Sequence, residues 1–328
     1  FPGLTAAVWS DIATFLPQNL YTAYGDADAL RRHYPLMRDW VDSVRRQDQA
    51  RGEKYLWDFG FQFGDWLALD GATPQSTFGR TDVHFVSSVY YYASAAYVAK
   101  AAEALELPEK AAYEQLASHI RSAILEEYFT PTGRLAIDTQ TAYLLALRFG
   151  LCPDREKAIA AFQNRFKKDC RHLTGGFVGA TMMNTVLADN GMADIAYDLL
   201  CYEGFPGWLY AVNLGATTIW ESWEGTKAQG GIASLNHYSK GAVCEWLFGT
   251  MCGINVEGEN KFKISPRPGG HFTHAEAEYL SIYGRVASRW EKTADGITYT
   301  VTVPANCTVT LTLPGHPAQE LTAGSYTF

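Results

Sequence analysis

Two glutamates and two tryptophans occupy residues 220–224, within the stretch GATTIWESWEG. Such a group could act on a sugar, because glycoside hydrolysis uses a pair of carboxyl groups and aromatic rings cover the apolar faces of sugars. Glu221 is the candidate acid or base, since the indoles on either side would partly desolvate it. Glu224 precedes Gly225 and a polar run, which is typical of a surface turn. A solvated loop glutamate remains the alternative for Glu221 on these residues alone.

Acidic and aromatic side chains alternate again in LWDFGFQFGDWLALDG, residues 56–71. Asp65 and Trp66 form the tightest acid–ring pair, and the glycines of this stretch permit unusual backbone geometry. Acid groups set between rings are suited to a sugar-binding platform. An aromatic loop packed into the core is equally consistent with the pattern.

Two shorter stretches add single candidates. In VWSDIATFLP, residues 8–17, Asp11 fits the N-terminal cap of the helix that follows, whereas Trp9 lies just outside that helix without such a routine role. In SLNHYSKGAV, residues 234–243, His237 opens an apolar helix. A lone histidine makes structural hydrogen bonds more often than it catalyses, but its place soon after the WESWE loop favours the same cavity.

The composition excludes several other classes of function. A net charge of -8 over 328 residues offers no basic stripe for nucleic acid, and no apolar run is long enough to span a membrane. The sequence contains no GxGxxG, P-loop, HExxH or GxSxG motif, and His271 and His274 lack partners at metal-ligand spacing, so neither a cofactor nor a metal is predicted. The six scattered cysteines indicate buried free thiols in a reducing compartment, which favours the cytoplasm in the absence of a signal-peptide pattern.

The spacing of apolar residues predicts a helical region followed by strands. Leu30, Tyr34, Met37, Val41 and Val44 repeat with the 4-3-4-3 spacing of a buried helical face. Many paired helices joined by alternately short and long loops favour an α/α toroid. After Gly253 apolar residues alternate with threonines, and a turn at Pro304 is predicted to join two strands as a hairpin. Further helices are expected near 11–24, 84–105, 139–150, 154–168, 180–190, 192–202 and 235–252, with loops at 55–82, 171–179, 203–218 and 224–233.

Several of these stretches together resemble the inverting α-L-rhamnosidases of glycoside hydrolase family 78. The resemblance runs through VWSDIATFLPQNLYTAYG, GDWLALDG, TGGFVGATMMNTVLADNG, FPGWLYAVNLGATTIWESWEG, SLNHYSKGAVCEWLFGTMCGI and YGRVASRW, and it covers nearly the whole chain. It implies a mainly α protein in which an incomplete (α/α)6 barrel occupies residues 1–253. A small antiparallel β-sandwich domain is expected over residues 254–328.

The resemblance also implies a reaction and the residues that serve it. In the family, the glutamate of the WExW motif is the general base that activates water, and Glu221 stands at that position. The substrate is then a terminal α-L-rhamnose of a glycoside or polysaccharide, cleaved with inversion. The substrate-binding residues that the resemblance implies are Trp9, Asp65, Trp66, Trp223 and His237.

One motif of the family has no counterpart in this chain. Family members carry the general acid in a DERxGWTGD-type segment upstream of a WSDxA-like one, whereas this chain begins at FPGLTAAVWSD, without an initiator methionine. We therefore expect a C-terminal piece of a longer enzyme, impaired in hydrolysis by itself, with a degenerate relative as the alternative. A noncatalytic carbohydrate-binding protein also stays open, and a polysaccharide lyase is disfavoured by the acidic charge.

Overall fold

The computed structural model describes residues 6–73, 76–227 and 233–328, so the predicted loop at 224–233 lies partly outside the described residues. The helices are α1 (Ile12–Tyr24), α2 (Ala27–Gln49), α3 (Val83–Ala104), α4 (Lys110–Tyr128), α5 (Gln140–Arg148), α6 (Arg155–Lys168), α7 (Phe177–Asp189), α8 (Ala193–Leu200) and α9 (Trp208–Asn213). Residues 239–251 then pass from 3-10 through α to π geometry. None of the helices within the described ranges is long and apolar enough to cross a membrane.

The helices form two layers of an (α/α)6 barrel arc. Helices α1, α3, α5 and α7 pack side by side as the inner layer, and the segment 239–251 continues this layer beside α7. Each of α2, α4, α6 and α8 packs against the inner helix that precedes it. Burial follows the layers: eight of the nine residues of α5 are buried, whereas α2 buries one face that contains the predicted stripe from Leu30 to Val44. The predicted α/α architecture is confirmed.

One loop prediction and one helix prediction need correction. The region 203–218, predicted as a loop, contains α9, whose first residue Trp208 is buried and donates its indole N–H to the carbonyl of Lys240 at 2.9 Å. The helix predicted over 235–252 begins only at Ser239. Its expected first turn is irregular because the His237 amide donates out of it, to the carbonyl of Ile219 at 2.8 Å.

Asp11 does not cap α1 in the predicted way. It stands at the N-cap position, but its side chain makes no capping hydrogen bond. Its carboxylate instead accepts from the amide of Val8 at 2.8 Å, from the indole of Trp40 at 2.8 Å and from the hydroxyl of Ser94 at 2.7 Å. Burial raises the pKa of Asp11, and these three donors oppose that rise. Asp11 therefore ties α1 to α2 and α3.

Residues 254–328 form two four-stranded sheets. The strands are β1 (Ile254–Gly258), β2 (Lys261–Ile264), β3 (His274–Ser281), β4 (Gly284–Thr293), β5 (Gly296–Val303), β6 (Thr308–Leu311), β7 (Gln319–Leu321) and β8 (Gly324–Thr327). Their orders are β1-β2-β6-β7 and β3-β4-β5-β8. Alternate residues of the central strands are buried, as Tyr299, Val301 and Val303 are in β5, which is the pattern of a β-sandwich.

The predicted hairpin between β5 and β6 is wrong. Both edges of β5 are occupied, by β4 and β8, and β6 pairs in the other sheet with β2 and β7. The β2–β6 pair is parallel, whereas the other strand pairs of both sheets are antiparallel, as expected for this domain. The alternating apolar residues that suggested a hairpin, such as Val301 and Val309, are buried because they fill the space between the sheets.

The six cysteines are all free thiols. Only Cys252 and Cys307 are buried, whereas Cys170 and Cys244 are exposed, so the prediction of buried thiols is wrong for the exposed pair. Burial raises the pKa of Cys252 to about 11, which keeps this thiol protonated and unreactive at neutral pH.

Candidate active site

Glu221 lies where two loop segments are tied together. Its amide donates to the carbonyl of Ser234 at 2.9 Å, and the amide of Ser234 donates back to Oε2 of Glu221 at 2.7 Å. The side chain is half-buried, and Oε1 accepts no hydrogen bond from the described residues. One carboxylate oxygen is thus fixed by the protein, while the other can accept a proton from a water molecule.

The neighbouring indoles form the floor of this loop. Trp220 and Trp223, which flank Glu221 in the sequence, are 6% and 4% exposed, so both indoles are buried. The ring of Trp220 sits against Gly225, where a Cβ atom would come within 1.8 Å of it. Trp223 donates its indole N–H to the carbonyl of Gly175 at 3.3 Å. Glu224 is exposed, in agreement with its interpretation as a surface residue.

Lys240 brings a buried ammonium group to the same loop. The residue is 2% exposed, and its Nζ donates a hydrogen bond to the main-chain carbonyl of Glu221. Nζ also lies 4.8 Å from the centre of the Trp223 ring and 5.7 Å from that of Phe177. Burial lowers the pKa of Lys240 to about 8, and the charges of Glu221 and Asp65 oppose that shift.

A chain of aromatic rings connects the other predicted residues. Phe177 is its centre, with ring centroids 6.0 Å from Trp9 and 5.0 Å from His237. The Trp9 ring also lies 4.5 Å from that of Phe63, at an interplanar angle of 41°, and the Phe63 ring is 5.4 Å from that of Trp66. Trp9 is 37% exposed, so this wall presents indole surface to solvent. Together with Lys240, the rings bring four of the predicted site residues into one connected group around the Glu221 loop, namely Trp9, Trp66, Trp223 and His237.

Asp65 differs from the other candidates because its carboxylate is fully engaged within the protein. Oδ1 accepts from the amides of Val178 and Gly179 at 2.8 and 3.1 Å. Oδ2 accepts from the hydroxyl of Thr141 at 2.5 Å and from the amide of Gly176 at 3.0 Å. Burial raises the pKa of Asp65, and the four donors oppose that rise. At 2% exposure, Asp65 contacts the start of α7 and not the solvent, which favours a positioning role over the predicted sugar contact.

The glycines of TGGFVG permit this close contact between distant segments. A Cβ atom on Gly176 would lie 2.1 Å from the carbonyl oxygen of Trp66, and one on Gly179 would lie 2.2 Å from Oγ1 of Thr141. The Phe177 amide completes the contact by donating to the carbonyl of Trp66 at 2.8 Å. Asp65 therefore places α7 so that its first residue, Phe177, projects into the aromatic wall.

The stretch 56–71, in which acidic and aromatic residues alternate, is partly a core-packed aromatic loop and partly exposed in the manner of a platform. Trp57 and Phe59 are buried in the core, as an aromatic plug would be. Phe63 and Trp66 belong to the wall beside Trp9, as a platform would. The remaining acids are structural: Asp58 forms an ion pair with Lys54 at 2.9 Å, and Asp70 accepts from the amide of Arg80 at 3.0 Å.

Lys240 and Phe177 were not predicted as site residues. The signal for Lys240 is its place three residues after His237, where an ammonium interrupts an otherwise small and apolar helix start. Phe177 carries no comparable signal, because its role depends on the fold around Asp65. The described ranges contain no group of three or more His, Cys, Asp or Glu side chains arranged to hold a metal ion.

A cavity of about 240 Å³ adjoins the Glu221 loop. Its walls include Trp208, Val212, Trp220 and Trp223, and Lys240 closes one side. Neither Glu221 nor His237 lines it, so this apolar space is distinct from the wall that contains Trp9.

A helical barrel arc with an attached β-sandwich, a half-buried carboxylate and a wall of indoles defines the class of helical-barrel carbohydrate-active domains. Residues 2–251 match the family model of the bacterial alpha-L-rhamnosidase 6 hairpin glycosidase domain, and residues 257–327 match that of the bacterial alpha-L-rhamnosidase C-terminal domain. The chain belongs to this bacterial alpha-L-rhamnosidase family.

Individual relatives agree with the family assignment. An alpha-L-rhamnosidase of Streptomyces avermitilis is 33% identical over 96% of this chain and 30% of its own length, and one of Formosa agariphila is 33% identical over 99% of this chain and 36% of its own. The chain thus spans about a third of the length of these curated relatives.

Two solved structures have the same fold. Native rhamnosidase from Aspergillus terreus superposes with a TM-score of 0.91 at 28% identity, covering 99% of this chain and 39% of that one. The Streptomyces avermitilis alpha-L-rhamnosidase complexed with L-rhamnose superposes with a TM-score of 0.88 at 31% identity, covering 98% of this chain and 33% of that one.

Proposed function

We propose that this chain contributes the general base and the sugar-binding wall of an inverting α-L-rhamnosidase. The observation that carries the proposal is the junction at Glu221: among the described residues its Oε1 accepts no hydrogen bond, and Lys240 links its main chain to Phe177, whose ring lies beside His237. The substrate class follows from the family and from the relatives named as rhamnosidases. The C6 methyl of L-rhamnose would be favoured by an apolar wall, because its burial against rings removes apolar surface from water.

In the proposed reaction, Oε1 of Glu221 accepts a proton from a water molecule while that water attacks the anomeric carbon. The bond from this carbon to the glycosidic oxygen breaks on the opposite face, and its electron pair leaves with the oxygen; the leaving group departs as a stabilised anion, or as an alcohol where a separate general acid donates a proton to that oxygen. Inversion requires the acid and base carboxyls to stand about 6.5 to 9.5 Å apart, which leaves space for the water. Trp9 and Trp66 would hold the apolar face of the sugar, Trp223 would form the floor, and His237 would hydrogen-bond a hydroxyl.

The test uses two substrates that differ in their need for a general acid. A 2,4-dinitrophenyl α-L-rhamnoside releases a stabilised anion, so base and wall suffice for its hydrolysis, whereas methyl α-L-rhamnoside also requires a proton donor. We expect the chain to hydrolyse the dinitrophenyl compound and to bind L-rhamnose more tightly than L-mannose by about tenfold, since L-mannose carries a hydroxyl on C6. Binding is measured by titration calorimetry and hydrolysis by phenolate release.

The possible results distinguish a hydrolase from a noncatalytic carbohydrate-binding protein. Rhamnose binding without hydrolysis of the dinitrophenyl substrate would identify a noncatalytic carbohydrate-binding relative. The absence of both, in a folded chain, would contradict the proposal. Hydrolysis of methyl α-L-rhamnoside would show that the chain also supplies the acid.

A further inference from the structure

We propose that Lys240 is the positioning residue of the candidate base, and that its positive charge holds the Glu221 loop in the orientation needed for hydrolysis. This inference rests on the proposed role of Glu221. Lys240 does not reach the substrate in this assignment. It acts through the main chain of Glu221, whose carbonyl accepts the hydrogen bond from Nζ.

The contacts of Lys240 join three parts of the site at one atom. Nζ donates a hydrogen bond to the carbonyl of Glu221. It also lies 4.8 Å from the centre of the Trp223 ring and 5.7 Å from the centre of the Phe177 ring, at the start of α7. Its own carbonyl accepts the indole N–H of Trp208, which fixes the lysine main chain. Lys240 therefore links the main chain of Glu221 directly to the aromatic wall.

The energetics argue that this ammonium serves more than folding. A buried charge is unfavourable unless it is closely paired, and among the described residues Nζ donates only to a neutral carbonyl. The charged groups that face it are Glu221 and Asp65, and neither makes an ion pair with it within the described part of the chain. An apolar residue at position 240 would pack here without that penalty, and groups that oppose stability in this way concentrate at functional sites.

The charge of Lys240 should make the loop sensitive to alkaline pH. Below a pKa of about 8 the side chain is an ammonium, which donates a charge-assisted hydrogen bond and attracts both ring faces. Above that pH it becomes a neutral amine, so both attractions weaken while the packing stays the same. A side chain that contributes packing alone at this position would show no such step.

The first test reads the loop directly and needs no activity. Amide hydrogen–deuterium exchange is measured at Glu221, Ser234 and His237, whose N–H groups are all engaged within this loop pair. In the unmodified chain we expect their protection factors, corrected for intrinsic exchange, to fall about tenfold between about pH 7 and about pH 9. Lys240→Met should show, at every pH, the low protection factors that the unmodified chain shows at about pH 9. Lys240→Arg stays charged, so it should keep the high protection factors over the whole pH range.

Lys292 offers a matched control in the β domain. Its Nζ also lies over an indole, 5.9 Å from the centre of the Trp290 ring, and donates to the carbonyl of Gly270 at 3.4 Å. Lys292→Met should leave the protection of the Glu221 loop unchanged. Because the pH series on the unmodified chain requires no substitution, the test holds even where a Lys240 variant folds poorly.

The second test is kinetic, with 2,4-dinitrophenyl α-L-rhamnoside as substrate. We expect Lys240→Met to lower kcat by about 10- to 100-fold with little change in KM, and Lys240→Arg to move the alkaline limb of the pH profile upward. Unchanged loop protection and unchanged kcat in Lys240→Met would overturn the positioning role while leaving the proposed function intact. Conversely, absent hydrolysis in every variant, with the expected protection pattern, would contradict the proposed function and support the role of Lys240.

Discussion

Replacing Glu221 by glutamine is expected to lower kcat for 2,4-dinitrophenyl α-L-rhamnoside by about 10³-fold, while L-rhamnose binding changes by less than about threefold. Glutamine keeps the shape of the side chain, and its amide oxygen can still accept from the amide of Ser234. It cannot accept a proton from water, so only the chemical step is removed. Phenolate release measures the first quantity and calorimetry the second.

An azide experiment assigns the lost step to water activation. In Glu221→Ala, azide should restore release of the phenolate, because azide attacks the anomeric carbon without needing deprotonation. The product would be rhamnosyl azide of inverted configuration. Glu224→Gln is the matched control, since Glu224 belongs to the same loop but is exposed, and it should retain full activity. Equal losses in both variants, or no rescue by azide, would contradict the assignment of the base to Glu221.

The second large effect is expected at Asp65, and it is an effect on stability. Asp65→Asn should lower the free energy of unfolding by about 3 to 5 kcal/mol, because the asparagine amide would face donors that the carboxylate now accepts from. The four donors are one hydroxyl and three amides at the start of α7. Denaturant unfolding measures this loss.

Asp65→Asn should also weaken L-rhamnose binding, although Asp65 itself is buried. Phe177 begins the helix that Asp65 holds, and its ring separates Trp9 from His237. Asp70→Asn serves as the control in the same stretch, since within the described ranges Asp70 accepts one hydrogen bond, from the amide of Arg80. An unfolding free energy of Asp65→Asn within about 1 kcal/mol of the unmodified chain would refute the positioning role, because four buried donors would then be shown to lose little.

The spacing of apolar residues predicted much of the fold because it indicates which face of a single helix or strand is buried. The stripe from Leu30 to Val44 is the buried face of α2, and the alternation around Val301 is the buried face of β5. Pairing between elements is not recorded in this way. The turn at Pro304 was consistent with a hairpin, yet β5 already has two partners, and one of them, β8, lies at the end of the chain.

In the candidate site, too, residues within local motifs were predicted, whereas contacts between distant segments were not. Trp9, Trp66, Trp223 and His237 were identified with their motifs, and the structure brings them together, although their roles in sugar binding stay predictions. The function of Asp65 could not be derived from its neighbours in sequence, because its amide donors lie 111 to 114 residues away. The position of Lys240 soon after His237 could have singled it out, but its partner could not be predicted, because the acceptor is a main-chain carbonyl that any residue type would provide.

The configuration of the first sugar released tests the central claim most directly, that Glu221 activates water in an inverting hydrolysis. Proton NMR follows the unmodified chain with 2,4-dinitrophenyl α-L-rhamnoside, at times shorter than mutarotation. Attack by water from the face opposite the leaving group predicts β-L-rhamnose as the first product. Release of α-L-rhamnose would mean a double displacement through a covalent intermediate, and it would contradict the role assigned to Glu221.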